Sequence, residues 1–209
     1  KENPEVDADG VKYYPIDTII YPYEALRAEV TCAYTNVSQD SDRTVRRVLM
    51  QESYAGQEQT MFPQAIYERY CEKTGQTINT IASDKTGRTL INYSGKPGDY
   101  ECISLVDVLQ GKIDTRVFKD SIVLVGAYAA GMQDNFNVPN GGNQQMYGVE
   151  IHANILQAFM QNRFSVNGNP FLFGLLTGFV CAILHFVFKR TKIWLSTILL
   201  IAGVAANLI

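Results

Sequence analysis

The chain has 209 residues, of which 46% are hydrophobic and 19% charged, and its formal net charge is −3 at pH 7. That length holds one sizeable domain with accessory segments. The charge is unevenly spread: residues 170–209 contain no Asp or Glu and only Lys189, Arg190 and Lys192 as bases, which leaves residues 1–169 with 15 basic against 21 acidic side chains, about −6. An acidic domain lacks the basic footprint of a nucleic-acid binder, and its charge suits solution better than an anionic lipid surface.

The first 169 residues alternate strand-like and helix-like patterns, and we read them as an α/β domain: a mixed sheet flanked by helices, followed by transmembrane helices. Ile16–Ile20 is short and β-branched, a strand pattern. Pro22–Val30 opens with proline at a plausible first helical position. Arg43–Tyr54 reads as a strand with mixed faces. In FPQAIYERYCEKTG, Phe62, Ile66 and Tyr70 recur at helical spacing with Tyr67 and Cys71 alongside, and Gly75 is the stop. Arg88–Gly95 reads as a strand closed by a turn. In SLVDVLQGK, Ser104 and Asp107 have capping-box spacing, and Gly111 ends the predicted helix.

The clearest unit comes last. Asp120–Ala127 contains a continuous apolar run, Ile122–Val125, as expected of a strand buried on both faces. At the other end of the unit, GVEIHANILQAFMQNRF places Ile151, Ile155 and Phe159 on one helical stripe, with His152 and Leu156 beside it. Between them lie twenty residues, Tyr128–Tyr147. Long ordered loops tend to be functional, and ligands in α/β sheets gather beyond the carboxyl ends of strands. The candidate ligand-binding residues are therefore Tyr128, Gly131, Asp134, Asn135, Glu150, His152 and Asn154. Each has a structural alternative. His152 falls on the core face, where an imidazole commonly holds loop backbone. Asp134 fits a loop-capping carboxylate. Glu150 complements the helix dipole, and Asn154, one turn on, serves the same loop. The Asn, Gln, Gly and Tyr of the loop suit a small polar ligand.

The sequence contains no dinucleotide fingerprint, P-loop, nucleophile elbow or HExxH motif. Cys32, Cys71, Cys102 and Cys181 have no metal-ligand spacing, so neither a metal nor a cofactor is expected; buried free thiols are.

Pro170–Phe188 is nineteen residues with His185 as its one ionisable side chain. That length matches a membrane-spanning helix, which needs about 20 residues. KRTK, Lys189–Lys192, forms a basic turn, and the uncharged Ile193–Ile209 reads as a second span, truncated at the chain end. Short basic loops stay in the cytoplasm, so residues 1–169 are expected outside it. No signal sequence appears at Lys1, and the chain reads as part of a longer one. Gly174 and Gly178 have the small-xxx-small spacing of membrane helix contacts and fit a homodimer.

FKDSIVLVGAYAAGMQDNFNVPN followed by YGVEIHANILQAFMQNRF resembles the core of the CHASE sensory domains of type two. INYSGKPGDYECISLVDVLQGK and SDRTVRRVLM resemble neighbouring segments of that family, so the resemblance covers about Ile16 to Phe164. It implies an extracellular input module of a bacterial receptor, not an enzyme in itself, followed by membrane helices. It also implies a cytoplasmic output outside this chain, such as an adenylate/guanylate cyclase or a kinase. The family begins with a membrane helix and an extended stretch that this chain lacks, so the domain is expected to be N-terminally truncated. Two other readings stay open: an extracytoplasmic hydrolase using His152 and Asp134 as acid and base, and an adhesion or scaffold domain without signalling.

Overall fold

The computed structural model describes residues 5–6, 12–13, 18–50, 52–54, 57–84, 87–166, 168 and 170–190. The chain divides into two compact units, residues 1–167 and 168–209.

In the first unit the elements run β1 (Glu5–Val6), β2 (Lys12–Tyr13), α1 (Glu24–Arg27), β3 (Arg47–Leu49), β4 (Glu52–Tyr54), β5 (Gln57–Gln59), α2 (Phe62–Thr74), β6 (Arg88–Ile91), α3 (Leu105–Leu109), β7 (Asn135–Phe136), β8 (Met146–Tyr147), α4 (Gly148–Gln161) and β9 (Phe164–Ser165). The largest sheet has three strands in the order β3-β6-β9, and its pairings are antiparallel. β1-β2, β4-β5 and β7-β8 form separate antiparallel pairs. The expected mixed sheet is therefore a small antiparallel one; parallel pairing occurs in isolated bridges, Tyr34 with Met61 and Thr44 with Asn137.

Two helices build the core. α2 starts with Pro63 in its first turn, where a missing N–H costs nothing because those donors have no intrahelical partner. It ends at Gly75, whose left-handed φ of 71° lets its N–H reach the Cys71 carbonyl. The helix buries Pro63, Tyr67 and Cys71, a stripe one residue on from Phe62, Ile66 and Tyr70. α4 buries Ile151, Ile155 and Phe159, as its period predicts, and stops at Asn162 in the left-handed conformation. The helices meet where the Tyr67 and Phe159 rings stack 5.5 Å apart, and Phe164 packs edge-on against Phe159 at 4.8 Å. Thr89, 1% exposed, faces this core and satisfies its hydroxyl by donating to the Ser165 carbonyl.

The turn before β3 is held by charge. Asp40 pairs with Arg47 at 2.5 Å and with Arg46 at 3.3 Å, and Arg46 also grips Asp42 at 2.8 Å. The hydrogen bond from Arg46 holds the Asp42 carboxyl well below the usual carboxylate range.

Several expected elements differ. The segment Arg43–Tyr54 is two strands, the second turning back on β5. The helix expected over Pro22–Val30 is a single turn, α1, without buried residues to anchor it. Thr18–Ile20 forms no strand, and Ile16 and Asp17 lie outside the described residues. α3 forms, but Ser104 gives no side-chain cap; Asp107 pairs with Lys112 at 3.2 Å instead. Ile122–Val125 is not a strand buried on both faces: Val123 is 52% and Val125 73% exposed, and among the described residues no strand pairs with the segment. Of the cysteines before the apolar helix, Cys71 is buried but Cys32 and Cys102 are exposed.

The second unit contains α5 (Pro170–Arg190). Within it, Phe171–Arg190 has a mean hydropathy of 2.3 and is the one helix among the described residues long and apolar enough to cross a membrane. Thr177 returns its hydroxyl to the Phe173 carbonyl at 2.8 Å, so its polar group is satisfied within the helix. The second expected span, residues 193–209, and the end of the basic turn lie outside the described residues.

Removing the Phe159 ring deprives Tyr67 and Phe164 of a shared partner. Phe159→Ala should cost about 3–5 kcal/mol of unfolding free energy, measured by denaturant titration of the first unit within the whole chain. A loss below about 1 kcal/mol would show that the stack does not hold the helices together.

Candidate functional site

The start of α4 organises its surroundings through two buried polar side chains one turn apart. Glu150, 2% exposed, accepts from the Gly98 N–H at 2.8 Å and the Tyr147 N–H at 3.2 Å. Asn154, fully buried, accepts from the Ser94 and Gly95 N–H groups at 3.0 and 2.9 Å. It donates to the Glu150 carbonyl at 3.0 Å, and its amide also lies 3.5 Å from the Met146 sulfur. Both side chains therefore hold the turn after β6; Glu150 also holds Tyr147 at the end of the Tyr128–Tyr147 loop, whereas Asn154, expected to serve that loop, holds the β6 turn instead. Asn140 adds a bond from that loop to the Gly95 carbonyl at 3.0 Å.

The loop is itself structured. A 3₁₀ turn at Ala130–Met132 leads into β7, which pairs with β8 just before α4. The Gly148 N–H donates to the Asp134 carbonyl at 2.9 Å, and the Asp134 carboxylate lies over the glycine. A Cβ at 148 would sit 2.5 Å from Asp134 Oδ2, so the first residue of α4 must be glycine for this approach. The rings of Tyr128 and Tyr147 lie 4.4 Å apart, which anchors the loop entrance to the helix start.

Two clefts flank this helix start. The first, about 570 Å³, is walled by Tyr70 of α2, Tyr100, Tyr128 and the α4 face carrying Glu150, Leu156 and Gln157. The Tyr100 hydroxyl donates to Gln157 Oε1 at 3.0 Å. Burial, with Glu150 and Asp99 nearby, pushes the Tyr100 phenol up to about 12. The Tyr128 phenol is also raised, first by its hydrogen bond with Cys102, then by burial and Glu150. The second cleft, about 630 Å³, is lined by Thr35, Phe62, Asp134, Phe136, Gly148 and His152.

His152 is 8% exposed, with Nε2 3.1 Å from the Thr35 carbonyl and the Phe62 ring edge-on at 5.6 Å. A carbonyl only accepts, so Nε2 carries the hydrogen and Nδ1 keeps a bare lone pair; Nδ1 is buried and has no hydrogen-bond partner among the described residues. Burial lowers the affinity of the imidazole for a proton, partly offset by Thr35 and Asp134. The core-face placement and backbone bond expected of His152 are thus present.

The seven candidates separate. Tyr128 and Glu150 line the first cleft, and Asp134 and His152 the second. Asn154 lies behind both, in the core. Gly131 is exposed, and Asn135 is an exposed residue whose side chain bonds Gln145. The sequence reading missed Tyr70, Tyr100 and Gln157 of the first cleft, although Tyr70 and Gln157 each lie on a helix whose period was legible. Asp134 and His152 share a cleft, but no hydrogen bond joins them among the described residues, Nε2 is held by backbone, and the lone pair on Nδ1 is buried.

Burial of His152 gives stability a pH dependence of known sign. Its folded-state affinity for a proton lies below the usual imidazole value of about 6.5, so the unfolded chain binds that proton first. Stability is full above about pH 6.5 and falls as the pH drops towards the lowered folded value. Against the wild-type chain, His152→Gln should flatten the decline in melting temperature between neutral pH and pH 5. An unchanged slope would assign the decline to other groups.

Among curated proteins and among solved structures, none matches the chain. The family model of the CHASE2 domain matches residues 5–199. The two clefts at the head of α4 thus sit in a domain of known type: the chain belongs to the CHASE2 family, sensory domains that stand extracellularly in signalling receptors.

Proposed function

We propose that this domain is the extracytoplasmic input module of a bacterial transmembrane receptor that regulates a cytoplasmic adenylate/guanylate cyclase or kinase. The observation that carries the reading is the CHASE2 match together with the apolar helix α5, which begins five residues after β9 ends. In this reading residues 1–169 lie outside the cytoplasm, 170–188 cross the membrane, 189–192 turn inside, and 193–209 return. Two copies associate, with Gly174 and Gly178 open to close helix approach.

The stimulus is a small polar molecule bound at the head of α4, in the clefts that hold Tyr128, Asp134, Glu150 and His152. Gly131 and Asn135, exposed on the same loop, complete the ligand set in this reading. The output shifts by no more than the ligand's differential affinity for the two receptor states. A receptor input needs no nucleophile, and the backbone bond on His152 favours this reading over a hydrolase.

Topology is testable in the whole receptor. A cysteine at Asn143 should react with an impermeant thiol reagent in spheroplasts, and one at Thr191 only after the membrane is opened; the reverse pattern would overturn the orientation. The site is tested by Asp134→Asn and Tyr128→Ala in a receptor reporter. Both variants should keep a melting temperature within about 2 °C of wild type, a change under roughly 1 kcal/mol, and lose most of the response. A lower melting temperature with the response intact would make these residues structural ties.

A further inference from the structure

We propose that the tyrosine-walled cleft beside α4 takes a small organic amine, a cationic nitrogen on a short apolar body. The inference rests on the sensory reading above and names its ligand class.

The cleft has the size of a small-molecule site: about 570 Å³ lies within the roughly 300–1,000 Å³ usual for such pockets. Its lining sorts by chemistry. The rings of Tyr70, Tyr100 and Tyr128 form the walls, and aliphatic side chains such as Leu124 and Leu156 line the rest. The charged groups in the lining are all carboxylates, Glu101, Asp120 and Glu150, and no Lys, Arg or His is among them.

The carboxylates have two different roles. Glu150 has both oxygens committed to backbone N–H groups and is nearly excluded from water. It therefore acts through its field, which water screens weakly at that depth. The field reaches the walls, since Glu150 contributes to the raised phenols of both Tyr100 and Tyr128. Glu101 and Asp120 are exposed, and neither has a side-chain partner among the described residues. They stand at the cleft ready to accept from an ammonium.

Alternative ligands fit this lining less well. An anion would meet carboxylates and no base. A neutral molecule would gain contact with the rings but nothing from the field. A cation gains from the carboxylates and from the negative faces of aromatic rings, which attract ammonium groups within about 6 Å. The Gln157 amide oxygen, which accepts from Tyr100, keeps a second lone pair that an ammonium can use.

The test uses the whole chain in nanodiscs and three probes of similar shape: phenethylamine, 2-phenylethanol and 3-phenylpropanoate. Binding is read by calorimetry at pH 7 against empty nanodiscs. Phenethylamine should bind about tenfold or more tightly than either other probe, the order of a desolvated cation–ring contact with a charge partner. The double variant Glu101→Gln/Asp120→Asn, placed on exposed positions to spare folding, should lose most of that preference. Tyr100→Leu should weaken phenethylamine further. Tighter binding of the alcohol or the carboxylate, still lost in Tyr128→Ala, would overturn the amine class while leaving the cleft as the sensor site. No binding of any probe, in a receptor whose reporter response still depends on Tyr128, would also overturn the amine and leave the sensory reading standing. Equal preference in wild type and the double variant would remove the carboxylates from recognition and with them the proposal.

Discussion

The first unit depends on a single buried amide. Asn154 sits where no water can replace a lost partner, and its oxygen satisfies two backbone N–H groups of a turn 59 and 60 residues earlier in the chain. Its nitrogen returns to the Glu150 carbonyl within its own helix. A buried amide oxygen left unmatched costs about 1–3 kcal/mol, so the arrangement is strongly specified once α4 packs. It fixes the turn after β6 against the helix head, and Glu150 extends the same hold to Gly98. The wall containing Tyr100 follows two residues later and is thereby placed across from α4.

From that anchor the packing radiates in two directions. Towards the helix C-terminus, the apolar stripe of α4 meets Tyr67 and the sheet strands β6 and β9. Towards its N-terminus, polar groups dominate: Asp134 over Gly148, His152 on Thr35, and the paired rings of Tyr128 and Tyr147. The division is a consequence of helix ends. Interior turns satisfy their own backbone and can face hydrocarbon, whereas the first turn leaves N–H groups that draw oxygen atoms to it. The candidate site therefore lies at the polar end of the same helix that anchors the core.

Much of this was legible from residue spacing. The periods of α2 and α4, the stop at Gly75, the strand at Arg88 and the apolar α5 are local properties, and the structure has them. The residues at the head of α4 were also recognisable as a polar group on an otherwise apolar helix. Their partners were not. Nothing near Asn154 in the sequence points to Ser94 and Gly95, since the bond depends on how the chain folds back. The reading of Ile122–Val125 failed for a related reason. A continuous apolar run gives the character of a segment but not its neighbours, and a strand exists only where another strand accepts its backbone. The turn around Asp40, clamped by Arg46 and Arg47, lies between these cases: the segment SDRTVRRVLM that contains both arginines was noted, but Asp40, six and seven residues before them, was not singled out.

The hold on Ser94 and Gly95 also has a consequence for hydrogen exchange. Turn amides ordinarily trade their protons with solvent through small local openings. These two point inward to a carboxamide that moves only with α4, so their exchange is tied to the opening of the helix itself. A turn in the middle of the chain thereby joins the cooperative unit of α4. Its amide protons report the integrity of the helix head more directly than the exposed loop beside it.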